Sequence, residues 1–149
     1  MSQLPPTSPH DALIQTVANS YSLPYDLLRV QVFVESSFDP FALRYERDFF
    51  TRYIKDKPDA KAYRFGPLAA CSFGLLQILL ETAMEIGYDD RPERLFDARI
   101  GLSWGAKYLQ SRFVKVGGDY HRALVAYNGS GPAAVAYADR IYDLAGRQV

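Results

Sequence analysis

The chain is poor in the residues that build covalent or metal-held scaffolds. Cys71 is its one cysteine, and His10 and His121 are its two histidines. That excludes an intramolecular disulfide framework and leaves too few thiolate and imidazole donors for a structural zinc site. No metal and no other cofactor is expected. Excess charge of either sign is also missing, because 17 basic side chains balance 17 acidic ones. The broad positive field that captures nucleic acid or anionic membrane is therefore absent. Nowhere do about 18 apolar residues run together, as a membrane-spanning helix requires. The opening MSQLPPTSPHDALIQ has no basic segment followed by an apolar stretch, so no export signal is expected in the chain as it stands. A partner has to be recognised by a shaped site.

What is present suffices for a core. The 149 residues are 48% hydrophobic and 14% aromatic, ample for one domain. Residues 1–9 carry three prolines, two serines and a threonine, a composition that predicts a poorly ordered lead-in to a domain spanning 10–149. From Asp11, the residues Leu13, Ile14, Val17 and Ala18 recur at helical spacing; Ser20 to Ser22 break the pattern, and Pro24 suits a helix's first turn. The next run is ambiguous, since Val30, Val32 and Val34 alternate like a strand. Pro24, Asp26 in the first turn and the length of the apolar run favour a buried helix.

Residues 41–66 change character. Eleven charged side chains lie among Phe41, Tyr45, Phe49, Phe50, Tyr53, Tyr63 and Phe65. Tyr45, Phe49, Phe50, Tyr53 and Ile54 share one helical face, which predicts a short amphipathic helix plus loop, closed by Lys57-Pro58-Asp59 and Gly66-Pro67. Either a surface elaboration or a substrate-contacting lobe has this composition. Beyond it, FGLLQILLETAMEIG, DARIGLSWGAKYLQSRFVKVGG, YHRALVAYN and PAAVAYADRIYDLAG all read as helical, with Gly87 and Gly117-Gly118 as stops and Pro132 in a first turn. No repeat recurs and no strand–helix alternation suggests a parallel sheet. The fold class is mainly α in a single domain, with a helix-loop insertion at about 41–66.

Three stretches put polar groups where an apolar core would not want them: Glu35-Ser36-Ser37, Ser72-Phe73-Gly74-Leu75-Leu76-Gln77 and Ala126-Tyr127-Asn128-Gly129. Glu35 stands out, because it ends an apolar run (Leu27, Leu28, Val30, Val32, Phe33, Val34) where ionisation is costly unless something uses it. Breaking a glycosidic bond requires a carboxylic acid that donates a proton near neutral pH, which burial favours. Each stretch also has an ordinary reading: a satisfied core glutamate, and caps for Gln77 and Asn128.

The order and spacing of the three resemble the goose-type lysozyme-like domain of the soluble lytic transglycosylases, whose hallmarks are an E-S pair, a G-L-M-Q segment and an A-Y-N segment. The resemblance runs from about Leu23 to Leu144. LPYDLLRVQVFVESSFDP looks like the first catalytic helix and SFGLLQILLETA like the second motif. LFDARIGLSWGAKYL looks like the middle helix, and RALVAYNGSGPAAVAYADRI like the A-Y-N loop with its following helix. Departures touch packing and turns: Leu76 stands for the usual Met, Leu80 for a frequent Pro, and Ala98 and Gly101 for the Pro and Asn expected after Asp97. The 41–66 segment exceeds the family's common connection, and its LRYERDFF looks like stretches in phage-associated muralytic domains.

The resemblance implies a mainly α, lysozyme-like fold, a monomer, and peptidoglycan glycan strands as substrate. It implies that Glu35 acts first as acid and then as base, drawing a proton from the substrate's C6 hydroxyl, which attacks the anomeric carbon and leaves a 1,6-anhydromuramic end. Ser36, Ser72, Gln77, Tyr127 and Asn128 would line the cleft, with Tyr137 either a further contact or a core residue.

Three rivals remain. A cysteine peptidase would use Cys71, His121 and Asn128, although AACSFG matches no local nucleophile signature and His121 beside Arg122 reads as a solvated helix start. A non-catalytic wall-binding module would keep the fold without turnover. A muramidase would position water with a second carboxylate; Asp39, Glu46 and Glu81 lie near the motifs, and Arg44 and Arg47 would keep Glu46 ionised. A wall-cleaving chain without an export signal is expected to act after lysis or injection, as an endolysin, a virion-associated protein or a secreted effector.

Overall fold

The computed structural model describes residues 4–149. Among these residues seven α-helices are joined by short 3-10 and π turns and a small sheet: α1 (Asp11–Ser20), α2 (Tyr25–Ser36), β1 (Leu43–Tyr45), α3 (Arg47–Phe49), β2 (Cys71–Phe73), β3 (Ile78–Leu79), α4 (Leu80–Glu85), α5 (Ala98–Lys115), α6 (Tyr120–Asn128) and α7 (Pro132–Leu144). The architecture is mainly α, as the periodicity predicts. The chain forms two compact units, one comprising residues up to Phe38 with Ala106–Val149, the other Asp39–Gly105.

The first unit packs α1 on α2, α2 on α7 and α6 on α7. The ambiguous run is a helix, started by Pro24 in extended geometry (φ −69°, ψ 122°). Leu27, Leu28, Val30, Gln31 and Val32 are its buried residues. That i, i+3, i+4 spacing is the signature of a helical face, and Val34, which a strand would bury beside Val30 and Val32, is half-buried. Asp119 caps α6 by accepting the Arg122 N–H. Before α1, the carbonyls of Pro5 and Pro6 accept hydrogen bonds from Arg29 of α2, whose Nε also reaches Asp11 at 2.9 Å.

α2 ends in unusual backbone. Ser37 and Phe38 both have left-handed φ (53° and 63°), which costs a non-glycine residue about 1–2 kcal/mol. Packing holds the turn: the Phe38 ring lies 5.5 Å from that of Phe33 and 5.1 Å from the Arg29 guanidinium. The other non-glycine residues with positive φ are Ser22 and Gln77. Three of these four described positions fall in the motif segments, the pattern expected of strain held at functional sites.

The second unit corrects two expectations. FGLLQILLETAMEIG, expected to be one helix, is helical only over Leu80–Glu85; ahead of it β2 pairs antiparallel with β1 on one side and β3 on the other, with Leu43 opposite Phe73 and Ser72 opposite Leu79. The first half of that segment is a short apolar run that a strand accommodates as well as a helix, and here its partner strand comes from the inserted segment. The insertion itself is less helical than its aromatic spacing predicts. Tyr45 belongs to β1, α3 is a single turn, and Phe50–Ile54 widens into a π turn closed by the Lys55 N–H to Phe50 carbonyl bond. Phe73, Leu75, Leu76, Ile78 and Leu80 are fully buried in this unit. Asp97 caps α5 through the Ile100 N–H, 3.0 Å. A Cβ on Gly105 would lie 2.6 Å from Leu76 Cβ, so the absence of a side chain there lets Leu76, the residue that replaces the usual Met, rest on the α5 backbone.

Candidate functional site

Glu35 lies in the last turn of α2 and is half-buried. Its Oε2 accepts the hydroxyl of Tyr137, 3.0 Å away on α7. The Tyr137 oxygen in turn accepts from Nε2 of Gln31, also at 3.0 Å. Gln31 is one helical turn before Glu35, so α2 presents both on one face. The result is a chain of two hydrogen bonds, Gln31 to Tyr137 to Glu35. Gln31 is fully buried and its Oε1 has no partner among the described residues, an arrangement that costs about 1–3 kcal/mol.

The phenols beside the carboxylate stay neutral. Burial, then the negative charge of Glu35, pushes both Tyr137 and Tyr127 well above the ordinary tyrosine value. Tyr127, in the last turn of α6, has its ring 5.3 Å from that of Tyr108. At neutral pH both phenols keep their protons, and the one on Tyr137 is donated in a hydrogen bond to Glu35. Tyr137 thus touches Glu35 directly.

The other residues singled out from sequence have distinct surroundings. The Ser36 hydroxyl donates to the Val32 carbonyl one turn back, 3.0 Å, and Asn128 is exposed at the end of α6. In the second unit, Ser72 is buried on β2. Gln77, with its left-handed φ of 50°, donates both amide hydrogens to backbone, to Ala42 and Gly74 carbonyls at 3.0 Å each. That leaves Gln77 its carbonyl oxygen for any further partner.

A family model described as the transglycosylase SLT domain matches residues 12–144. The chain belongs to that family. No curated protein and no solved structure gave a match. The SLT domain spans α1 to the last residue of α7 and both compact units. Its fold is the mainly helical, lysozyme-like one, and its activity is that of a lytic transglycosylase acting on peptidoglycan. No helix among the described residues is long and apolar enough to cross a membrane.

The peptidase reading of this SLT domain fails on chemistry. Burial, then the charge of Glu46, raises the Cys71 thiol above its ordinary value, the opposite of what a thiolate nucleophile needs. His121 is not a solvated helix start, because its Nε2 sits 2.7 Å from Asp139, its side chain is 14% exposed and its ring packs edge-on against Tyr142.

The three carboxylates weighed for a hydrolytic role all have partners. Asp39 accepts the Phe41 N–H in a local turn, 2.8 Å. Glu46 pairs with Arg44 at 3.0 Å. Glu81, 4% exposed, receives the backbone N–H groups of Lys61 (2.7 Å) and Ala62 (2.6 Å). Gln31 escaped the sequence reading; its signal is a lone amide four residues before the motif glutamate, inside an apolar run.

Proposed function

We propose that this SLT domain cleaves the β-1,4 bond from N-acetylmuramic acid to N-acetylglucosamine without water, with Glu35 as the sole protein acid and base. The protonated carboxyl gives its proton to the leaving oxygen as the anomeric C–O bond breaks. The C6 hydroxyl of the same muramic sugar then forms the new bond to the anomeric carbon and returns its proton to the carboxylate. Atoms balance, the acid is regenerated, and the product is a 1,6-anhydromuramic end.

The observation that carries this reading is the Tyr137 hydroxyl on Glu35, 3.0 Å away. A hydroxyl already aimed at the carboxylate stabilises the charge left there by proton donation, as general acid catalysis requires. Tyr127 and Asn128 at the end of α6, with Ser36 beside Glu35, are the proposed sugar contacts on the same unit. The commitments of Asp39, Glu46 and Glu81 to other partners favour transglycosylation over water activation. Mass spectrometry of digested peptidoglycan tests this: muropeptides without reducing ends and lighter by one water are expected, and reducing muramic ends as the main product would make the domain a muramidase.

A further inference from the structure

We propose that Gln31 is a positioning residue: by donating to the Tyr137 oxygen it leaves that hydroxyl's own hydrogen aimed at Glu35. The inference rests on Glu35 being the acid and base. A phenol has one hydrogen, and its oxygen here lies 3.0 Å from both Gln31 Nε2 and Glu35 Oε2. The amide nitrogen offers only hydrogens and an ionised carboxylate only lone pairs. One arrangement satisfies both: Gln31 gives to Tyr137, and Tyr137 gives to Glu35. Without Gln31 the hydroxyl is free to turn and to accept from protonated Glu35 instead.

The consequence falls on the step in which Glu35 gains charge. As the proton moves to the leaving oxygen, a donor already aimed at the carboxylate stabilises it with no reorganisation. Packing does not explain the residue. Gln31 is fully buried in the apolar run of α2, and its Oε1 has no partner among the described residues. An apolar side chain of similar volume would avoid that desolvation cost.

Several charges in this unit pair with one another. Asp11 of α1 holds Arg29 of α2, Asp139 of α7 holds His121 of α6, and Arg147 holds Asp26 of α2. The Glu35 charge acts on the phenols of Tyr127 on α6 and Tyr137 on α7.

The test compares wild type, Gln31→Met, Gln31→Leu, Tyr137→Phe and the Gln31→Met/Tyr137→Phe double variant. The readouts are thermal midpoint, 13C NMR titration of the Glu35 carboxyl, and kcat and kcat/KM against pH on purified peptidoglycan. Gln31→Met and Gln31→Leu are expected to fold with midpoints equal to wild type or higher. Glu35 should titrate at higher pH, because the carboxylate has lost a fixed donor, and the alkaline limb of kcat/KM should move up with it. A fall in kcat of about 10-fold is expected, less than the roughly 100-fold or more for direct removal of an oriented donor. In the Tyr137→Phe background, Gln31→Met should add no shift. Unfolded Gln31 variants, or a lowered midpoint with unchanged titration, would make Gln31 a packing residue and overturn the proposal. An unmoved titration alongside an inactive Glu35→Gln variant would sink the role of Gln31 and leave that of Glu35 standing. An active Glu35→Gln variant would remove both.

Discussion

Tyr137 donates its hydroxyl to Glu35 across 102 residues of sequence, at 3.0 Å. The bond ties the last helix to the end of α2, where Ser37 and Phe38 follow in left-handed conformation. A carboxylate that accepts from a phenol and is followed by strained backbone is held in a defined orientation.

Glu35→Gln keeps size and amide-like hydrogen bonding while removing the proton cycle. Wall-clearing activity is expected to fall by at least ~100-fold, the scale of lost general acid catalysis. Unchanged circular dichroism is needed beside the assay, and undiminished clearing by such a folded variant would take Glu35 out of the mechanism.

Glu46 pairs with Arg44 at the protein surface and is 35% exposed. Glu46→Gln should therefore retain most of the activity and yield the same anhydro products. An inactive, folded variant would identify Glu46 as the base of a hydrolase.

Cys71 sits on β2, its thiol 3.7 Å from the Pro67 carbonyl. Cys71→Ala should leave turnover within about 2-fold of wild type, with a packing loss of up to ~1.5 kcal/mol in urea unfolding. Abolished turnover with native unfolding behaviour would reinstate the thiol as a nucleophile.

Glu81 is the anchor of the inserted segment, holding two consecutive backbone N–H groups. Glu81→Ala strands both donors, and a loss of about 2–4 kcal/mol is expected. Burial, then the charge of Glu81, raises the Glu85 carboxyl above its ordinary value, so the same variant should let Glu85 titrate at lower pH. Denaturation midpoints and a carboxyl titration would report the two effects separately.

Acid unfolding tests the pair between α1 and α2. Burial pushes the Asp11 carboxyl up, but the hydrogen bond and charge of Arg29 and the Ser8 N–H outweigh it and hold it below 3.8. A depressed folded value means stability that is present above 3.8 and lost as pH falls through the folded value. Arg29→Met should lower the urea midpoint at pH 7 and show a smaller further loss on acidification. Equal losses in both proteins would show that Asp11 gains nothing from Arg29.

The helices were legible because their signals are local. Pro24 and Asp26, Pro132, the Gly117-Gly118 stop and the i, i+3, i+4 apolar spacing act within a turn or two of chain, and α1, α2, α5, α6 and α7 follow from them. Glu35 stood out for the same reason, as a carboxylate ending an apolar run. Cys71 to Leu79 had no such local determinant. Its residues suit helix or strand, and the choice fell to pairing with Leu43–Tyr45 and to the Gln77 amide reaching the Ala42 carbonyl, 35 residues away. The same holds for the partners of the glutamate. In sequence Gln31 is one polar residue in a hydrophobic run and Tyr137 one of eleven tyrosines. Their contact closes over 106 residues, and hydrogen-bond direction depends on which atoms meet at 3 Å, a relation that only the packing of α7 on α2 creates.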